Sequence, residues 1–107
     1  MAFVLKKTTS FKWPVTVEIP SDGTYVKETF EVIFKKVPRS AFNELVEQGD
    51  FAALSGLLEG WSGLKDENGK EIAFSGESIE ELCDDPCVVR GIMNSYIEAI
   101  YTGSRKN

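Results

Sequence analysis

Apolar and polar residues alternate from Phe11 to Ile19, with Phe11, Trp13, Val15, Val17 and Ile19 on one side and Lys12, Pro14, Thr16 and Glu18 on the other. A period of two predicts a half-buried strand. Pro14 has no amide to donate, so the strand belongs at a sheet edge or turns that position outward. The turn formers Pro20-Ser21-Asp22-Gly23-Thr24 follow, and they predict a hairpin. Its second strand, Tyr25 to Lys35, sets Val26, Phe30, Val32 and Phe34 against Lys27, Thr29, Glu31 and Lys35, and Glu28 and Ile33 break the alternation.

Beyond Val37-Pro38-Arg39 the period changes to that of helices. Ser40 is the expected cap of a first helix carrying Phe42, Leu45 and Val46, with Gly49 closing it. Asp50 is the expected cap of a second, in which Phe51, Leu54, Leu57, Leu58 and Trp61 recur at helical spacing. Gly60 and Gly63 bracket Trp61 where the chain leaves that helix, so Trp61 reads as a core anchor. Leu64 to Phe74 reads as a tight turn or small hairpin around Asp66-Glu67-Asn68-Gly69, with Gly69 supplying positive φ.

Ser75 or Ser78 caps the next short helix, Ser78 and Glu81 having capping-box spacing. Asp85-Pro86 opens the last and longest helix, whose Val88, Val89, Ile92, Met93, Tyr96, Ile97, Ile100 and Tyr101 form a wide apolar stripe ending at Gly103. The reading is an α+β fold: an N-terminal antiparallel β-hairpin packed with about four α-helices, the longest at the C-terminus. Residues 1–107 form one domain, with 1–10 and 104–107 as flexible tails. The last helix's stripe exceeds what one small sheet covers, so Val89, Met93, Tyr96, Ile100 and Tyr101 are the expected partner-binding residues. Trp61, Gly60, Gly63 and Gly69 are the expected structural ones.

Composition narrows the chemistry. A chain of 107 residues is too short to split into two cores. At 42% hydrophobic, with seven Phe, three Tyr and two Trp, it has the apolar content to fold. Histidine is absent, which removes the usual proton shuttle, the commonest metal ligand and every Ser-His or Cys-His arrangement. Cys83 and Cys87 flank Asp84-Asp85-Pro86, but two thiolates make only half a zinc site, and they read as reduced thiols at a helix junction. The acids from Asp66 lack the ligand alternation of a calcium loop. No catalytic, cofactor or metal residue is therefore assigned, and the chain is read as a non-enzyme.

A net charge of −5 with Lys and Glu interspersed gives no basic face for nucleic acid. Mimicry of nucleic acid needs dense carboxylate rows, whereas the one acidic run, Glu77-Glu80-Glu81-Asp84-Asp85, reads as the solvated opening of a helix. No apolar run approaches the roughly 20 residues that cross a bilayer, and no signal-peptide pattern opens the chain. The expected location is cytoplasmic.

The order of Glu59-Gly60-Trp61-Ser62-Gly63-Leu64, Asp66-Glu67-Asn68-Gly69, Ala73-Phe74-Ser75, Tyr96-Ile97-Glu98-Ala99 and a Lys106-Asn107 end resembles small tail assembly chaperones of long-tailed bacteriophages and prophages. The resemblance spans about Phe11 to Asn107 and rests on Gly60, Trp61, Gly63, Asp66, Gly69, Phe74, Ser75 and Tyr96 as an ordered set. It implies a non-enzymatic protein of the host cytoplasm that holds the long tape-measure protein soluble until tail-tube subunits polymerise around it. The partners so implied are the tape-measure protein, the major tail-tube protein and a frameshifted longer form of the chain; a homo-oligomer follows from the last helix. The frameshift has a place at Arg105-Lys106-Asn107, which can be encoded with the slippery heptamer A-AAA-AAC. The alternative is a small acidic regulatory or inhibitory protein of a mobile element that binds a host enzyme.

Overall fold

A computed structural model of the chain describes residues 2–102. Two long strands, β1 (Thr9–Ser21) and β2 (Thr24–Lys36), form the hairpin. Its loop is Asp22-Gly23, both at positive φ (48° and 82°), so the twist of the loop matches that of the strands. Helices α1 (Arg39–Glu47) and α2 (Asp50–Leu57) follow, then a strand β3 (Leu58–Ser62), then α3 (Gly76–Cys83) and α4 (Pro86–Ile97), which continues as one π-helical turn, Glu98–Thr102. The sheet is antiparallel in the order β1-β2-β3, with the helices on one face. The α+β expectation holds, and the longest helix is the C-terminal one.

The inner face carries Val15, Val17, Phe30, Val32 and Phe34, all buried, against Leu54, Leu57, Leu58, Ile79, Leu82, Ile92 and Tyr96. The two residues that break the alternation of β2 have separate causes. Glu28 falls on the inner face opposite Val17, but in the outer half of the hairpin, where it stays exposed. Ile33 lies on the outer face above Gly60, its Cδ1 3.6 Å from where a Cβ of residue 60 would stand.

Helix α4 crosses β1 where the two backbones nearly touch. A Cβ on Gly91 would lie 2.7 Å from the Thr16 carbonyl oxygen and 3.2 Å from the Val17 Cα. Arg90 donates to the Glu18 carbonyl at 3.4 Å. The carbonyls of Thr16 and Glu18 therefore turn away from β2, and Pro14 shares their phase, so its missing N–H falls on the free edge of the edge strand. The helix shields that edge.

Several expectations need correction. The second helix does not reach Trp61: it stops at Leu57, and Leu58–Ser62 pairs with β2. The pairing shifts register between Ile33 (opposite Gly60) and Phe34 (opposite Leu58), leaving Glu59 as the extra residue of a bulge. Ser40 is not a cap, because α1 starts at Arg39 after Pro38 with no side-chain cap hydrogen bond. Asp50 is the first residue of α2, whose cap position is Gly49. Of the two serines offered for α3, Ser75 does the capping, its Oγ accepting from the Ser78 amide at 3.1 Å, while the Ser78 hydroxyl donates back to the Ala73 carbonyl. Thr9 and Ser10, placed in a flexible tail, belong to β1.

Other local readings stand. Asp85 Oδ1 accepts from the Cys87 amide at 3.0 Å, with Pro86 the first residue of α4. The turn after β3 is closed by the Lys65–Glu71 bridge and organised by Asp66, whose Oδ1 accepts from the amides of Asn68 (2.9 Å) and Lys70 (3.0 Å). Gly69 there has φ +79° and Gly63 has φ +78°. Gly103 as the helix end, the 104–107 tail and the Arg105-Lys106-Asn107 slip site lie outside the described residues.

Candidate functional site

The apolar stripe of the last helix is largely used inside the domain. Tyr96 is fully buried, and Val89, Met93, Ile100 and Tyr101 are partly buried against the same core. Tyr96 is a hub between three elements. Its ring meets Phe34 of β2 edge-on at 5.1 Å and lies parallel to Phe42 of α1 at 5.5 Å. Its hydroxyl donates to the Lys35 carbonyl at 3.0 Å and accepts from the Val37 amide at 3.3 Å. Burial pushes its phenol above the ordinary value, the Val37 amide opposing that shift and the nearby Tyr101 adding to it.

Tyr101, on the π-helical turn, meets Phe42 at 5.2 Å and carries the Arg39 guanidinium 4.9 Å above its ring. The expected binding residues Tyr96 and Tyr101 are thus brought together beneath α1. On the last helix only Ile97 is an exposed large apolar side chain among the described residues; the others are Ile19, Tyr25 and Val26 at the hairpin end, Val46 on α1, Phe51 on α2, Phe74, and Phe3, Val4 and Leu5 before β1. Val46 and Phe51 flank the α1–α2 junction, each 46% exposed. The sequence pattern marked both as apolar, but their helices are too short for spacing alone to separate a core position from a surface one.

Trp61 is partly buried. Its Nε1–H donates to the Ile72 carbonyl at 2.7 Å and its ring meets Phe74 edge-on at 4.8 Å, which pins the Lys65–Glu71 turn to β3.

A polar groove of about 380 Å³ runs between β1 and α4, lined by Glu18, Lys27, Arg90, Asn94, Ser95 and Glu98 among others. Its charges are of both signs, and Lys27 pairs with Glu18 at 3.8 Å. Both cysteines are free, and the Cys83 thiol is held above its ordinary value by burial first, then by the charges of Asp50 and Glu80. A raised value makes Cys83 a poor nucleophile at neutral pH. Among the described residues, no three His, Cys, Asp or Glu side chains converge as a metal cluster would, and no helix is long and apolar enough to cross a membrane. What the arrangement offers is contact surface: an aromatic cluster under a thinly anchored helix, and exposed apolar side chains around it. Comparison with known protein families, curated proteins and solved structures gave no match.

Proposed function

We propose that this chain is a non-enzymatic tail assembly chaperone that binds the tape-measure protein of a long-tailed phage or prophage and keeps it soluble in the host cytoplasm. The observation that carries the reading on the structural side is the coexistence of exposed apolar side chains on several elements with a net charge of −5. A protein that covers the apolar stripes of a long helical client needs such contacts, and surplus charge keeps the complex dispersed. On the sequence side the support is the ordered set from Gly60 to Tyr96. The tail-tube protein and a longer frameshifted form of the chain belong to the same proposal.

A second reading, an inhibitor of a host enzyme, has one observation in its favour: Glu77, Glu80 and Glu81 of α3 stand together with Asp84, just past its end, on an exposed face. Co-purification from the native host separates the two. The chaperone retains a very long helical phage protein, and the inhibitor a globular host enzyme.

A further inference from the structure

Helix α1 is held differently from the other α-helices among the described residues. It has no buried residue, whereas α2 has three, α3 two and α4 four. Like α2, it starts without a side-chain cap, and it is bounded by Pro38, where ψ remains free to rotate, and by Gly49 at φ +111°, where the absent Cβ lets the chain be re-aimed without moving the sheet. Two apolar side chains one turn apart, Phe42 and Leu45, seat it, with the Arg39 guanidinium 4.9 Å over the Tyr101 ring. Phe42 lies on Tyr96 and Tyr101. Leu45 fills the space left by the missing side chain of Gly56 on α2, its methyls 2.5 and 2.7 Å from where a Cβ would stand. The floor beneath α1 is therefore a groove shaped for an amphipathic helix with an aromatic residue and a leucine at i and i+3, the mode by which helices bind apolar grooves.

We infer that α1 is a built-in occupant of this groove, which swings out on Pro38 and Gly49 and is replaced by an amphipathic helix of the client carrying the same i, i+3 pair. The client's identity rests on the chaperone reading; the opening of α1 does not. Releasing α1 uncovers the faces of Tyr96 and Tyr101 that Phe42 covers and the Gly56 notch that Leu45 fills. The apolar surface expected on the last helix is thereby present but covered, and covered by the least anchored helix.

The test begins with hydrogen exchange of the intact chain. Amides of residues 42–48 are expected to exchange at least about tenfold faster than those of α4 and β2, as a separately opening unit does. Exchange of α1 in step with the core would overturn the inference. A cross-link provides the control: Leu45 Cγ lies 3.1 Å from the Cβ position of residue 56, close to the roughly 3 Å between a Cβ and the far sulfur of a disulfide. Leu45→Cys/Gly56→Cys in a Cys83→Ser/Cys87→Ser chain, oxidised with glutathione disulfide, is expected to slow α1 exchange to the rate of α2, with reduction restoring it. The probe for the groove is a fluorescein-labelled peptide of residues 37–49. It should bind Phe42→Ala/Leu45→Ala chain about tenfold more tightly than wild type, because the weakened α1 competes less, and should not bind the oxidised cross-linked chain. Equal binding to all three places the peptide elsewhere and refutes the groove. Opening and capture of the peptide, with no phage protein recovered by co-purification, would keep the groove and discard the chaperone reading.

Discussion

Gly91 is a position where two magnitudes oppose each other. Alanine raises helix propensity by about 1 kcal/mol over glycine, but here its methyl would stand 2.7 Å from the Thr16 carbonyl, a backbone atom of β1 that cannot swing aside. Overpacking costs about 1–3 kcal/mol, and against a backbone atom that cannot yield, the upper part of that range, about 2–3 kcal/mol, applies; less the propensity gain, Gly91→Ala is expected to lower stability by roughly 1–2 kcal/mol in urea unfolding, and an unchanged midpoint would mean the helix does not cross β1 there. Tyr96 gives a second residue-scale expectation. Tyr96→Phe keeps the ring contacts but leaves the Lys35 carbonyl and Val37 amide without their partner, a loss of about 1–2 kcal/mol. The same hydroxyl sets a pH dependence. Its folded value is raised above the ordinary 10.0, so the unfolded chain releases the proton first, and the stabilisation is complete below about pH 10 and lost as pH rises further. Cys83, raised above 9.0, acts in the same direction from about pH 9. Thermal unfolding should therefore shift to lower temperature from pH 9 upward, with the steeper part of the fall reduced in Tyr96→Phe; a flat alkaline profile contradicts buried, protonated groups.

At the scale of elements, Trp61 shows why part of the fold was legible in the sequence and part was not. Hairpins and helix starts are written in local chemistry, so Asp22-Gly23, Asp85-Pro86 and Asp66 to Gly69 could be read directly. The strand β3 is set by a partner 24 or more positions earlier, Val32 pairing with Trp61 and Phe34 with Leu58. Its apolar run Leu54, Leu57, Leu58, Trp61 satisfies a helical spacing, and nothing local reveals that pairing with β2 prevails. The candidate site was half visible for a related reason. Tyr96 and Tyr101 stood out as an apolar pair, but that α1 would cover them depends on Phe42 and Leu45 meeting Tyr96 and Gly56, a tertiary fact. Because Trp61 is only partly buried, Trp61→Ala is expected to cost about 2–3 kcal/mol, below the 3–5 of a fully buried aromatic. Loss of the Ile72 hydrogen bond should also free the Lys65–Glu71 turn, seen as faster amide exchange at Ile72; a variant with wild-type stability would make Trp61 a surface contact instead.

For the whole molecule, shape follows from mismatched lengths. A 13-residue strand reaches about 43 Å and accounts for most of the 50 Å long axis, whereas the 12 residues of α4 span about 18 Å. The hairpin therefore outruns its helical cover, and Ile19, Tyr25 and Val26 are left exposed at its end. Under the chaperone proposal, the exposed apolar side chains at the hairpin end and at the α1–α2 junction are contacts for an extended client, the tape-measure protein. The chaperone proposal expects a very long tape-measure gene downstream of this one, and its most direct test is to express that product alone and together with this chain and to quantify its soluble fraction. Aggregation when expressed alone and recovery as a soluble complex when co-expressed is the expected result; a tape-measure protein equally insoluble in the presence of excess folded chain would contradict the chaperone proposal.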